Sequence, residues 1–254
     1  MNIIMLAGGG ESTKYIYNGI APHFEIKKVL IADSVSVNKL IKNRIKRLGY
    51  FKVINQLLFQ AIVSKIIKSK SKKLIESRKK ILCLDNTPIP SEKIIEVGFI
   101  NSNKCIEVII SMDPDLIIVN GTSIISKKVL GCTNALFINT HVGITPEYRG
   151  VHGGYWALRN HDKKNFGVTV HKIDKGIDTG DIIYQNTCGV EKEDNFSTYP
   201  LYQYSLAIPL LVKAITDIKD GHLEIYQKEG AESKLYYHPT LTEYIYGRVK
   251  YGIK

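Results

Sequence analysis

Short apolar runs alternate with helically spaced stretches through the first half of the chain. Asn2-Ile-Ile-Met-Leu-Ala7 leads at once into Gly8-Gly9-Gly10-Glu11-Ser12-Thr13 and then a helical stretch to Ile20, the pattern of a strand, a glycine loop and a helix. Further compact apolar or β-branched runs occur at 28–32, 81–84, 115–120 and 136–141, and the stretches between them carry helical spacing. This alternation predicts an α/β fold with a mostly parallel sheet covered by helices on both faces. After His141 the rhythm changes. The runs 166–173 and 181–190 are separated only by the turn-rich Asp174-Lys-Gly-Ile-Asp-Thr-Gly180, which predicts a hairpin-type pair appended to the sheet and hence a mixed edge. A helix over about 198–218 closes the core. The expected organisation is a core over 1–219 and a short extension over 220–254.

Charge changes this picture in one place. The formal charge is +11, but fourteen basic residues between Lys39 and Lys80 face the single acid Glu76, so this segment carries +13 and the rest is close to neutral. Apolar residues at spacings of three and four run through the same stretch, from Leu40, Ile41, Ile45 and Leu48 to Ile62, Ile66 and Ile67. The lysines therefore read as the solvated face of one or two helices, with a docking surface for an acidic partner, a membrane surface or a polyanionic substrate as the alternative. A nucleic-acid partner is not expected. Composition, with 44% hydrophobic and 23% charged residues, excludes a mostly disordered chain. No apolar run reaches the roughly 20 residues of a membrane span, so a cytoplasmic location is expected. Cys83, Cys105, Cys132 and Cys188 form no Cys-x-x-Cys pair, which predicts reduced, buried thiols and no metal site.

Candidate chemistry gathers where the rhythm changes. In Phe137-Ile-Asn-Thr-His141, read as a strand, Asn139 and His141 leave the same face at its carboxyl end, where α/β sheets place ligands. An amide and an imidazole there meet two demands of acyl transfer to nitrogen, stabilising an oxyanion and managing a proton. Asp178, in the turn after the next run, lies near them if that run pairs with the strand. With no serine or cysteine beside them, the group suggests direct attack by a substrate amine. His171 reads as structural, Trp156 as core, and Thr122 or Ser123 as a helix cap.

Asn139-Thr-His141, Pro146-Glu-Tyr-Arg-Gly150, Tyr155-Trp-Ala-Leu158, Gly167-Val-Thr-Val-His171 and Gly176-Ile-Asp-Thr-Gly-Asp-Ile-Ile-Tyr-Gln185 together resemble the folate-dependent formyltransferases. That family includes the glycinamide ribonucleotide, methionyl-tRNA and sugar-nucleotide N-formyltransferases. The resemblance implies a Rossmann-like twisted sheet and 10-formyltetrahydrofolate as co-substrate. It implies that Asn139 and His141 polarise the formyl group while Asp178 orients the histidine and assists proton removal from the amine. It places folate contacts at Asn120, Gly121, Thr122 and Ile124, and around Asp174 and Gly176. Gly8, Gly9, Gly10 and Ser12, with a helix start behind them, are candidates to cradle a phosphate; Arg149, Gly150 and His152 lie where the acceptor approaches. One departure is that Val142-Gly143 stand where many members have proline and serine, which puts the shape of that loop outside the resemblance.

The acceptor expected is a nucleotide-linked amino sugar, with glycinamide ribonucleotide as the alternative and a basic binding protein on an inactive core as the non-enzymatic reading. Methionyl-tRNA is expected less, because that branch carries a sizeable C-terminal RNA-binding domain and only about 35 residues follow Lys219. The tail tyrosines, from Tyr226 to Tyr251, are candidates to stack on a nucleotide base or to form a homodimer contact.

Overall fold

The computed structural model describes residues 1–254, the side chain of Lys39 excepted. Strands β1 (Ile3–Gly8), β2 (Ile26–Asp33), β3 (Ile94–Phe99), β4 (Leu116–Asn120), β5 (Leu136–His141), β7 (Gly167–Lys172) and β8 (Ile182–Thr187) form one sheet in the order β3-β2-β1-β4-β5-β7-β8. The first five are parallel; β7 runs antiparallel to both β5 and β8. The mixed edge expected from the change of rhythm is therefore present, with β7 alone pairing to β5. A two-residue strand β6 (Arg149–Gly150) pairs with another, β9 (Leu235–Tyr236), beside it.

Period-two alternation builds both faces of the sheet. Along β1, Ile3, Met5 and Ala7 pack on one side with Ile16 and Ile20 of α1 (Glu11–Ile20) and with Ala207, Leu211 and Ile215 of α9 (Tyr199–Asp220). Ile4 and Leu6 point the other way, onto Cys105, Ile106 and Ile109 of α6 (Asn103–Met112) and Val129 of α7 (Lys127–Leu130). Each fully buried isoleucine or leucine contributes about 1.5–3 kcal/mol. The three-layer sandwich follows from strands that are apolar on both sides. Between β1 and β4 the chain reverses its direction of travel across the sheet, which creates a switch point at the carboxyl ends of the strands.

The basic segment forms four helices rather than one or two: α2 (Val37–Leu48), α3 (Tyr50–Leu58), α4 (Ser64–Lys70) and α5 (Lys72–Ile81), with a π-helical turn at Phe59–Val63. Its inner face is apolar and joins a third, aromatic core. Phe59 packs there against Phe196 and Tyr244, beside Tyr155 and Trp156 of α8 (Gly153–Arg159).

Four expectations are corrected. The run 81–84 is not a strand but the end of α5 and a turn. Its apolar character is spent on Leu84, which packs with Tyr15 and Leu201. The edge strand is instead 94–99. The cap of α7 is Ser126, whose Oγ accepts the Val129 N–H, and not Thr122 or Ser123. All four thiols are free and Cys105 is buried, but Cys83 is exposed. In the tail, Tyr236 and Tyr244 are not available for a base or a dimer. Tyr236 stacks between Tyr148 and Trp156, and Tyr244, on α10 (Leu241–Tyr251), is buried.

Candidate active site

Strand β5 ends on Asn139-Thr140-His141, and strand geometry sends Asn139 and His141 to one face and Thr140 to the other. The antiparallel register of β7 sets His171 directly opposite Asn139, so the two share that face. The turn after β7 then brings Asp178 back over the group. Asp174 shapes this turn, its Oδ1 accepting from the Gly176 N–H (2.9 Å) and the Thr179 hydroxyl (2.7 Å). Asp178 itself sits in the left-handed region at φ 50°.

The Asp178 carboxylate is the centre of the cluster. Oδ2 lies 3.3 Å from His141 Nδ1 and accepts the Gly150 N–H at 2.9 Å, while Oδ1 lies 3.6 Å from His171 Nε2. Burial alone would push its pKa up. The His141 ring, the contact with His171 and the Gly150 N–H outweigh it and hold the carboxyl at about 2. Asp178 is therefore ionised at neutral pH.

Each ring nitrogen of His141 faces an oxygen acceptor, because Nε2 lies 2.7 Å from the Tyr148 carbonyl while Nδ1 faces Asp178. Only the imidazolium form donates at both ends. For His171, Nδ1–H donates to the Lys172 carbonyl (2.7 Å), which leaves Nε2 to accept from Asn139 Nδ2 at 3.2 Å. One amide N–H of Asn139 is thus fixed and the other remains for a ligand. His171, read from sequence as structural, is a positioning group for Asn139. The signal was its place in the Gly167-Val-Thr-Val-His171 run, four residues along from Gly167, but pairing with Asn139 required the register.

Loop 142–150 is shaped by the same neighbours. Thr169 Oγ1 accepts from Thr145 N–H and donates to the Gly143 carbonyl, and Gln185 Nε2 donates to the Thr145 carbonyl (2.7 Å). A Cβ on Gly143 would lie 2.6 Å from His141 Nε2 and 2.5 Å from the Tyr148 carbonyl oxygen. The loop closes too tightly on the imidazole for any other residue, which explains Val142-Gly143. Gly150, at φ 94°, is similarly required, since a Cβ would collide with the Tyr236 carbonyl.

The remaining candidates separate into three groups. Arg149 and Gly150 join the cluster. The Arg149 guanidinium donates to the Ile177 carbonyl (3.0 Å), bracing the Asp178 turn, and its buried Nε has no partner. His152 does not join, because it pairs with His238 at 2.9 Å and packs on Phe196. It is the N-cap residue that precedes α8, without a side-chain cap bond. Gly8, Gly9, Gly10 and Ser12 line up next to Asn120 and Gly121, since Ala7 pairs with Asn120 and Val119 with Asn139. The Asn120 side chain is buried and donates to Ser12 Oγ (3.1 Å) and Thr13 Oγ1 (3.3 Å), which welds the glycine loop to the β4 loop. Beyond it, Gly121 (φ 64°) and exposed Ile124 lie on irregular backbone, and the Asp174 carboxylate is engaged within its own turn.

The donor set fits a folate co-substrate: a half-free amide at Asn139 and irregular backbone at 121–125 lie along one edge with the ionised Asp178. It does not resemble a metal centre. Among the described residues no group of three or more His, Cys, Asp or Glu is placed to hold a metal ion.

Residues 50–205 match the formyl transferase family. A methionyl-tRNA formyltransferase from Halothermothrix orenii is 35% identical over 130 residues, covering 51% of this chain and 41% of that protein. Across the curated relatives it matches, the chain spans 46% of their length or less. Two solved structures share the fold. A sugar N-formyltransferase from a Shewanella species superposes with TM-score 0.57 and 16% identity, over 93% of this chain and 76% of that one. A phosphoribosylglycinamide formyltransferase from Anaplasma phagocytophilum gives TM-score 0.58 and 16% identity, over 93% and 98%. With the matched residues carrying the whole Asp178-centred cluster, this chain belongs to the formyl transferase family.

Proposed function

We propose that this chain transfers a formyl group from 10-formyltetrahydrofolate to the primary amine of a nucleotide-linked amino sugar. The observation that carries the reaction is the convergence of His141 and His171 on one ionised carboxylate, with Asn139 held at its side by His171. The folate supplies the formyl carbon at the open edge formed by 121–125 and the Asp178 turn. There the free N–H of Asn139 donates to the formyl oxygen where negative charge builds as the amine attacks, with the His141 ring held beside it between Asp178 and the Tyr148 carbonyl. Asp178 holds His141 in place and, being ionised, draws the proton that the attacking amine must lose; the bond that breaks is the one from the formyl carbon to the folate nitrogen, which takes up a proton and leaves as tetrahydrofolate. His171 keeps the amide turned so that its N–H, not its carbonyl, meets the oxyanion.

The fold is shared over 93% of the chain by sugar N-formyltransferases and by a phosphoribosylglycinamide formyltransferase alike, so the amine of glycinamide ribonucleotide stands as the alternative acceptor. A second reading has its own support: the 35% identity to a methionyl-tRNA formyltransferase favours a methionyl-tRNA acceptor. The test incubates the protein with 10-formyltetrahydrofolate and, separately, dTDP-, UDP- and GDP-linked amino sugars, glycinamide ribonucleotide and methionyl-tRNA. The proposal expects product with an amino sugar. Turnover confined to glycinamide ribonucleotide or methionyl-tRNA overturns the acceptor, and no turnover with any of them overturns the reaction.

A further inference from the structure

The helical arm of α3, the π turn and α4 has two apolar faces, and only one is covered. Val53, Phe59, Val63 and Ile67 turn inward to the aromatic core. On the outer side Phe51, Ile54, Leu58, Ile62 and Ile66 recur every three or four residues and stand 42–92% exposed, Phe51 the most. An apolar stripe of this length left in water is a docking surface. Lys52, Lys65 and Lys68 are exposed between its members, within the segment that carries +13. Face-to-face pairing with a second copy would bring +13 against +13, so the charge selects an anionic partner. An apolar stripe flanked by lysines on a 21-residue helical run matches the surface of a bilayer, where the stripe enters the acyl boundary and the lysines meet headgroups. A cavity of about 390 Å³ opens on the same arm beside Ile66 and Tyr244, with Lys70, Arg248 and Lys254 on its rim, the chemistry of a site for an anionic amphiphile. No helix among the described residues is long and apolar enough to cross a membrane, so the arm would lie on the surface.

We infer that the outer face of this arm docks the protein on an anionic phospholipid membrane. The experiment is co-flotation with vesicles of phosphatidylcholine alone and of phosphatidylcholine and phosphatidylglycerol in equal parts, at low and high salt. Binding is expected only to the anionic vesicles and is weakened by salt. Each of Phe51→Ser, Ile54→Ser and Leu58→Ser should lower the partition coefficient about tenfold, and each of Lys65→Gln and Lys68→Gln about fivefold. The thermal midpoint of each variant should stay close to that of the parent, since all five side chains are exposed. Three results overturn the inference. The first is no flotation with either vesicle, or equal flotation with both. The second is binding that responds to the lysine variants but not to the serine variants, which is adsorption by charge alone. The third is a dimer in vesicle-free solution, or binding to bulk tRNA, that the serine variants abolish.

Discussion

Two histidine clusters stand eleven residues apart in sequence and are built to opposite electrostatic ends. Around Asp178, His141 and His171 face a buried carboxylate held at about 2. Around Phe196, His152 and His238 face each other with no carboxylate; burial, their mutual charge and nearby Arg44 push them down to about 3 and about 4. One cluster concentrates charge, and the other excludes it. Residue type alone does not distinguish them. What separates them is the partner supplied from far along the chain, Asp178 in one case and His238 in the other.

Short of Asp178 itself, the largest expected effect is at Asn139. Asn139→Ala removes the donor to the formyl oxygen and should lower kcat by about 10²–10³, measured by steady-state formyl transfer. At the opposite pole, His152→Phe should leave kcat within about twofold, because its ring points into the aromatic core. Equal losses in the two variants would erase the distinction between the clusters.

A smaller effect is expected for His171→Ala. It frees the Asn139 amide to rotate and should reduce kcat about tenfold, in line with one hydrogen bond of about 1.4 kcal/mol. His171→Gln, whose side-chain carbonyl can accept from the amide, should recover part of the loss. Failure of glutamine to recover anything would make His171 a packing residue.

Acidification separates the clusters by pH window. The two depressed imidazoles contribute stability above an unfolded-state pKa of about 6.5, lost as pH falls towards 4; the amount between pH 7 and pH 5 is roughly 2 kcal/mol for each ring. Asp178 contributes above about 4, and that share is lost as pH falls towards 2. The double variant His152→Phe, His238→Leu should therefore flatten urea stability between pH 6.5 and 4 while leaving the lower window unchanged. A curve that keeps its slope between 6.5 and 4 would contradict the assignment.

Much of this architecture is legible in the sequence, for physical reasons. Strands β1 and β4 are buried on both faces and read as compact apolar runs, as does the first half of β5 before Asn139. Strand β3 lies at the sheet edge, carries Glu96 and has Gly98 at φ 68° before its last residue, so Ile94-Ile-Glu-Val-Gly-Phe99 shows no such run. The apolar turn after α5 imitated a strand because Leu84 fills a satellite core. Asn139 and His141 stood out as candidates by strand spacing and Asp178 by the resemblance, and the structure places the three close together. His171 was not legible, because its role comes from a cross-strand register, and neither was the Thr169–Gln185 brace under loop 142–150. Arg149 and Asn120 were read as candidate binding residues and not as braces, since nothing local shows that their partners are Ile177 and Ser12.

The central claim is that the ionised Asp178 serves chemistry. Asp178→Asn keeps the size and the hydrogen bond from Gly150 but removes the charge beside His141. Formyl transfer from 10-formyltetrahydrofolate to whichever acceptor the panel identifies, measured alongside urea unfolding at pH 7, tests it most directly. The account predicts a fall in kcat of about 10²–10⁴, with stability reduced by no more than about 2 kcal/mol. A variant that retains turnover while losing most of its stability would show Asp178 to be a structural ion and would contradict the account.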